Sequence, residues 1–117
     1  MGLDFNNNDA HWSYGGFNSF RRKVASSIGI NLDEMYGFQG SNPWETVNDD
    51  VKIFLDHSDC DGVLTPEECA KVWPRLQEII GKWDKGDFSN QYDIFQSELL
   101  IAGMKNSVES NENLEFC

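Results

Sequence analysis

No run of apolar residues in this chain approaches the roughly 20 needed to cross a bilayer as a helix, and no secretory leader opens it. Both absences predict a cytoplasmic protein with no membrane partner. Positive charge is also scarce: nine Lys and Arg stand against twenty Asp and Glu, for a formal net charge of −11. Such a chain repels a nucleic-acid backbone and an anionic lipid surface alike, so its expected partners are metal ions and basic proteins. Three cysteines cannot all pair with one another. Their odd number favours a reducing compartment, and a Cys60 to Cys69 disulfide would require export by another route. Repeats, linkers and low-complexity tracts are missing too, so residues 1–117 read as a single domain that buries about two thirds of its unfolded surface. An aromatic content of 13%, with four tryptophans, excludes a disordered acidic tail.

What the chain does contain is concentrated in one stretch, His57-Ser-Asp-Cys-Asp-Gly-Val-Leu-Thr-Pro-Glu-Glu-Cys69. Asp59 and Asp61 alternate, Gly62 follows, Leu64 is apolar two residues later, and Glu68 closes the series. Large hard cations take six to eight oxygens, which alternating carboxylates, a backbone carbonyl after a turn-permitting glycine and a distal Glu can supply. On this register the stretch resembles an EF-hand calcium loop, with His57, Asp59, Asp61, the Val63 carbonyl, Thr65 and Glu68 as ligands. The departure is His57, because that family carries Asp at the first position. Starting the loop at Asp56 instead puts Cys60 on a carboxylate position and Asp61 in the place of the glycine.

Imidazole suits zinc, nickel or copper better than calcium. A second ligand set, His57, Cys60 and Cys69, therefore predicts zinc or another transition metal, with His11 or Cys117 completing a tetrahedron. The metal-free reading stands beside both. Asp-rich, Gly-centred turns are common before helices, and Thr65-Pro66-Glu67-Glu68 is a complete helix start without any ion. Charge is nonetheless gathered here, since Asp49 to Glu68 holds seven acidic residues against Lys52 alone.

Elsewhere the patterning is mainly helical. Leu3 and Phe5 alternate as a short strand that the polar run Asn6 to Asp9 breaks. Phe17, Phe20, Val24 and Ile28 define one helix face, ended by Gly29 and flanked by Arg21, Arg22 and Lys23, whose default reading is a solvated face. Asn42-Pro43-Trp44-Glu45 starts a helix through Val47, Val51, Phe54 and Leu55, which would lead into the loop. Cys69, Val72, Trp73, Leu76, Ile79 and Ile80 form the stripe of the helix that leaves it, with a kink or break expected from Pro74. Ser89 or Asn90 caps a last helix to about Ser107, with Tyr92, Phe95, Leu99 and Ala102 on one side and Leu100 and Met104 flanking. Leu114 and Phe116 alternate as a strand. The predicted fold is thus mainly α, four or five helices around a helix-loop-helix, with a small sheet formed by the loop residues Val63 to Thr65 and one or both chain termini.

The opening Met-Gly-Leu-Asp-Phe, the run His11-Trp-Ser-Tyr-Gly-Gly-Phe17, the motif His57-Ser-Asp-Cys-Asp-Gly62 and the closing Asn113-Leu-Glu-Phe116 together resemble a group of small uncharacterised bacterial and phage proteins. The resemblance implies a prokaryotic or phage origin and carries no activity. Two function classes follow from the residues. One is a small acidic metal-binding protein, with weak calcium binding on the order of 10⁻⁴ to 10⁻³ M. The other is an acidic interaction module, such as an inhibitor, immunity protein or charge mimic, in which the loop is only structural. A metal-dependent enzyme would need an open coordination position, and no full set of nucleophile, base and oxyanion donors can be assigned.

Overall fold

A computed structural model describes residues 2–57 and 62–117. Among them the chain is mostly helical, with four α-helices and two small two-stranded antiparallel sheets. The order is β1 (Gly2–Leu3), β2 (Trp12–Ser13), α1 (Tyr14–Ser27), α2 (Lys52–Leu55), β3 (Val63–Leu64), α3 (Pro66–Gly81), α4 (Phe88–Ser110) and β4 (Leu114–Glu115).

Helices α1, α3 and α4 each start where a side chain takes an orphan backbone donor. Ser13 caps α1 by accepting from Gly16 N, earlier than the apolar periodicity implied. Thr65 and Glu68 form a reciprocal capping box on α3. Asp87 caps α4 in place of Ser89 or Asn90. Gly29, at φ +80°, ends the first helical region in the left-handed conformation that glycine adopts without strain. Helix α3 runs unbroken through Pro74. Ala70, whose carbonyl loses its donor, and Pro74 itself both lie on the exposed face, where water can take the orphan acceptor.

Two expectations require correction. The helix expected from Asn42 to Leu55 is a 3₁₀ turn at Trp44–Thr46 and a single α turn at Lys52–Leu55. Asp49 explains the interruption: its Oδ1 accepts from the Val51 N–H, a local bond that competes with continuous helix. The second correction concerns α4, whose buried side is Ile94, Leu100, Ile101 and Met104, whereas Tyr92 and Phe95 are each 52% exposed. Both sides of this helix carry apolar residues, so periodicity set Leu100 and Met104 only at the flank of the stripe, whereas they lie on the helix's buried side.

The core centres on an aromatic cluster. Trp12 stacks on Phe20 with centroids 4.8 Å apart, Phe17 meets Phe54 edge-on at 5.6 Å, and Phe5 meets Phe116 at 5.1 Å. Such pairs add about 0.5–1.5 kcal/mol each beyond their buried area. Helices α3 and α4 pack on one another and enclose Val72, Leu76, Leu100 and Met104, all fully buried.

The small sheet beside the loop forms largely as expected. β3 pairs antiparallel with β4, Val63 opposite Glu115 and Leu64 opposite Leu114. The other edge of the C-terminal segment meets the N-terminus, through an antiparallel bridge between Phe5 and Phe116 and a bond from Cys117 N to Asp4 O of 2.8 Å. The N-terminal strand itself pairs with β2 and not with the loop. Leu64 and Leu114 point into the core, while Asp4 and Glu115 face solvent as the alternation requires.

Candidate metal centre

The loop begins where α2 ends. Arg21, expected on a solvated face, is instead buried with 2% of its surface exposed. Its Nη1 donates to the carbonyls of Leu55 (3.3 Å) and His57, and its Nη2 donates to Asn18 Oδ1 at 2.6 Å. The guanidinium also lies over the rings of Phe17 and Phe38, 4.8 and 5.0 Å from their centroids. A planar five-donor cation can satisfy carbonyls that a turn leaves without partners, which a lysine would do less completely. Arg21 sits four residues after Phe17 and three before Val24, on the apolar face, a placement that periodicity registers without deciding whether the side chain is buried.

From this anchor the His57 ring lies against the C-terminal strand. It stacks on Phe116, 4.0 Å between centroids. Its Nε2 is 3.1 Å from the Val63 carbonyl oxygen, a hydrogen bond in which the imidazole donates. Gly62, at φ +91°, provides the turn, and a Cβ there would stand 3.2 Å from His57 Cε1. The first and seventh positions of the proposed loop thus meet across it.

The distal part is equally defined. Thr65 Oγ1 accepts from Glu68 N at 3.2 Å, and Glu68 Oε1 accepts from Thr65 N at 2.9 Å. Glu68 also lines a surface cavity of about 380 Å³ together with Glu45, Asp56 and His57. Desolvation, and then the nearby Glu45 charge, raise the Asp56 carboxyl above its ordinary value. Asp59, Cys60 and Asp61 lie outside the described residues. Among the described residues no three His, Cys, Asp or Glu side chains come close enough to hold a metal ion.

The alternative thiolate set meets a different environment. Cys69 and Cys117 carry free thiols. Cys69 is fully buried, its Sγ 3.9 Å from the Leu64 carbonyl, and burial with the neighbouring Glu68 charge pushes its thiol up to about 11. A zinc ion needs the thiolate, which this setting disfavours. His11 is exposed and holds Asp4 through Nδ1 at 2.8 Å, and Cys117 lies at the surface.

Among the described residues no helix is long and apolar enough to cross a membrane. No protein family, curated protein or solved structure matches this chain.

Proposed function

We propose that this is a small acidic protein whose loop from His57 to Glu68 binds calcium weakly. One observation carries the reading: a left-handed Gly62, an extended Val63–Leu64 and a Thr65 cap precede Glu68 at the spacing such a loop uses. Binding requires Asp59 and Asp61, and it requires Glu68 and the His57 imidazole to exchange their bonds to Thr65 N and to the Val63 carbonyl for the ion. Both that exchange and the missing carboxylate at position 57 weaken the site.

The test is a calorimetric calcium titration of the parent and of His57→Asp, with zinc as a parallel titrant. A dissociation constant on the order of 10⁻⁴ to 10⁻³ M is expected in the parent, tightening when the carboxylate is supplied. No calcium binding below millimolar concentration, or no gain in the variant, overturns the reading.

A specific observation favours the second reading, an acidic interaction module with a purely structural loop. The His57 imidazole already takes the Val63 carbonyl and rests on Phe116, bonds that close the loop without a cation. In that case neither calcium nor zinc raises the melting temperature of the parent, and His57→Asp lowers it.

A further inference from the structure

A second cavity, of about 350 Å³, opens beside the one that Glu68 lines, and Trp44, Glu45 and Asp56 line both. Tyr36, Pro43 and Trp44 supply its apolar walls, Glu45 and Asp56 its two carboxylates, and Ser41 one hydroxyl. Among the described residues no Lys, Arg or His lines it. Lys52 and His57 line only the neighbouring cavity, where Glu68 adds a third carboxylate. Around the shared wall three carboxylates thus stand against one ammonium.

The aromatic walls are set before any ligand arrives. Trp44 Nε1 donates to the Tyr36 carbonyl at 2.9 Å, and Phe38 meets the indole edge-on with centroids 6.1 Å apart. Tyr36 N in turn donates to the Asn42 carbonyl at 2.9 Å, which closes the turn that carries the tyrosine. Trp44 is buried, whereas Tyr36 is 71% exposed and stands at the rim. Walls fixed in this way reduce the ordering cost of binding.

We propose that this cavity binds a small organic ammonium cation. Its volume falls within the range of small-molecule sites. Aromatic faces attract alkylated ammonium groups through the ring quadrupole, and a tryptophan is the strongest such partner. The carboxylates supply the opposite charge and exclude anions. A bare metal ion suits the site less well: calcium takes six to eight oxygens, and among the described residues no three metal-ligating side chains come close enough to hold one. The inference does not rest on the calcium reading, because none of the six assigned loop ligands lines this cavity.

Choline is the probe, added at physiological ionic strength to the isotope-labelled full chain and followed by amide and indole N–H shifts in nuclear magnetic resonance. EGTA keeps the loop free of calcium, so the outcome bears on this cavity alone. Saturable binding with a dissociation constant on the order of 1 mM is expected, with the largest shifts at Tyr36, Trp44 Nε1, Glu45 and Asp56. The uncharged isostere of choline, with carbon in place of nitrogen, should bind about tenfold more weakly or worse. Glu45→Gln with Asp56→Asn should weaken choline about tenfold or more, and Tyr36→Ser about threefold. A peptide carrying one trimethyl-lysine separates the sources of such a cation. Tighter binding than choline assigns it to a side chain of a partner protein, and equal or weaker binding assigns it to a free amine; both support the site. No saturable shift below about 20 mM choline, equal binding of the uncharged isostere, or undiminished binding by the carboxylate double variant overturns the proposal. Should the double variant lose its fold, Tyr36→Ser decides, since that residue is mostly exposed: a loss of about threefold supports the site and no loss overturns it.

Discussion

The ring of His57 lies on the ring of Phe116, two residues that are 59 positions apart in the chain and only 4.0 Å apart between centroids. The contact makes the C-terminus part of the loop, because the same segment pairs with Val63 and Leu64 through its backbone. Phe116→Ala should cost about 3–5 kcal/mol, the range for truncating a buried aromatic ring. Deleting Leu114 to Cys117 should cost more and expose the loop to proteolysis. Urea unfolding and limited proteolysis check both, and unchanged stability in either variant would separate the loop from the tail.

A second prediction concerns the polar link between α1 and α4. Asp93, 8% exposed, accepts from Trp12 Nε1 at 3.0 Å through one oxygen and from Lys23 Nζ at 2.7 Å through the other. Asp93→Ala leaves the buried indole N–H without an acceptor, a loss of about 1–3 kcal/mol, while Lys23 Nζ keeps the Ser89 carbonyl at 3.0 Å and Asn90 Oδ1 at 3.4 Å. Asp93→Ala combined with Lys23→Met should cost less than the sum of the two single losses, since both remove the same ion pair. Chemical denaturation of the single and double variants gives the coupling, and a purely additive double variant would contradict the arrangement.

Thiol reactivity should divide sharply. In a Cys60→Ser background, Cys117 at the surface should alkylate readily at pH 8, whereas Cys69 should react only on unfolding. Burial blocks access to Cys69, and a thiol held at about 11 ionises to only about one part in a thousand at that pH. Mass spectrometry of iodoacetamide-treated native protein counts the modified thiols. Two rapid modifications would show that Cys69 is not in the core.

The capping box gives the most local prediction. Thr65→Ala removes the acceptor for Glu68 N and should destabilise by about 1 kcal/mol, with Thr65→Ser restoring most of it. Thermal melts of the two variants check this. If both lose equally, the Thr65 methyl group rather than its hydroxyl matters at that position.

Local chemistry determined much of this protein from the sequence. The Thr65 to Glu68 box, the turn glycines, the stripe of α3 and the alternation of Leu114 and Phe116 depend on neighbours within a few residues, so spacing alone places them. The pairing of the C-terminus with the loop was legible for a related reason: an extended Val63–Leu64 leaves backbone groups that some strand must satisfy, and few segments alternate. Three features required the tertiary structure. Asp49 breaks the expected helix before the loop because a side chain can outbid the backbone for a single donor, a close competition that pattern cannot decide. Arg21 goes inward because the carbonyls of Leu55 and His57, 34 and 36 residues away, need a donor there. Helix α4 buries Ile94, Leu100, Ile101 and Met104 rather than Tyr92 and Phe95 because α3 and the aromatic cluster cover only one of its two apolar faces, and which face is covered is set by partners distant in the chain.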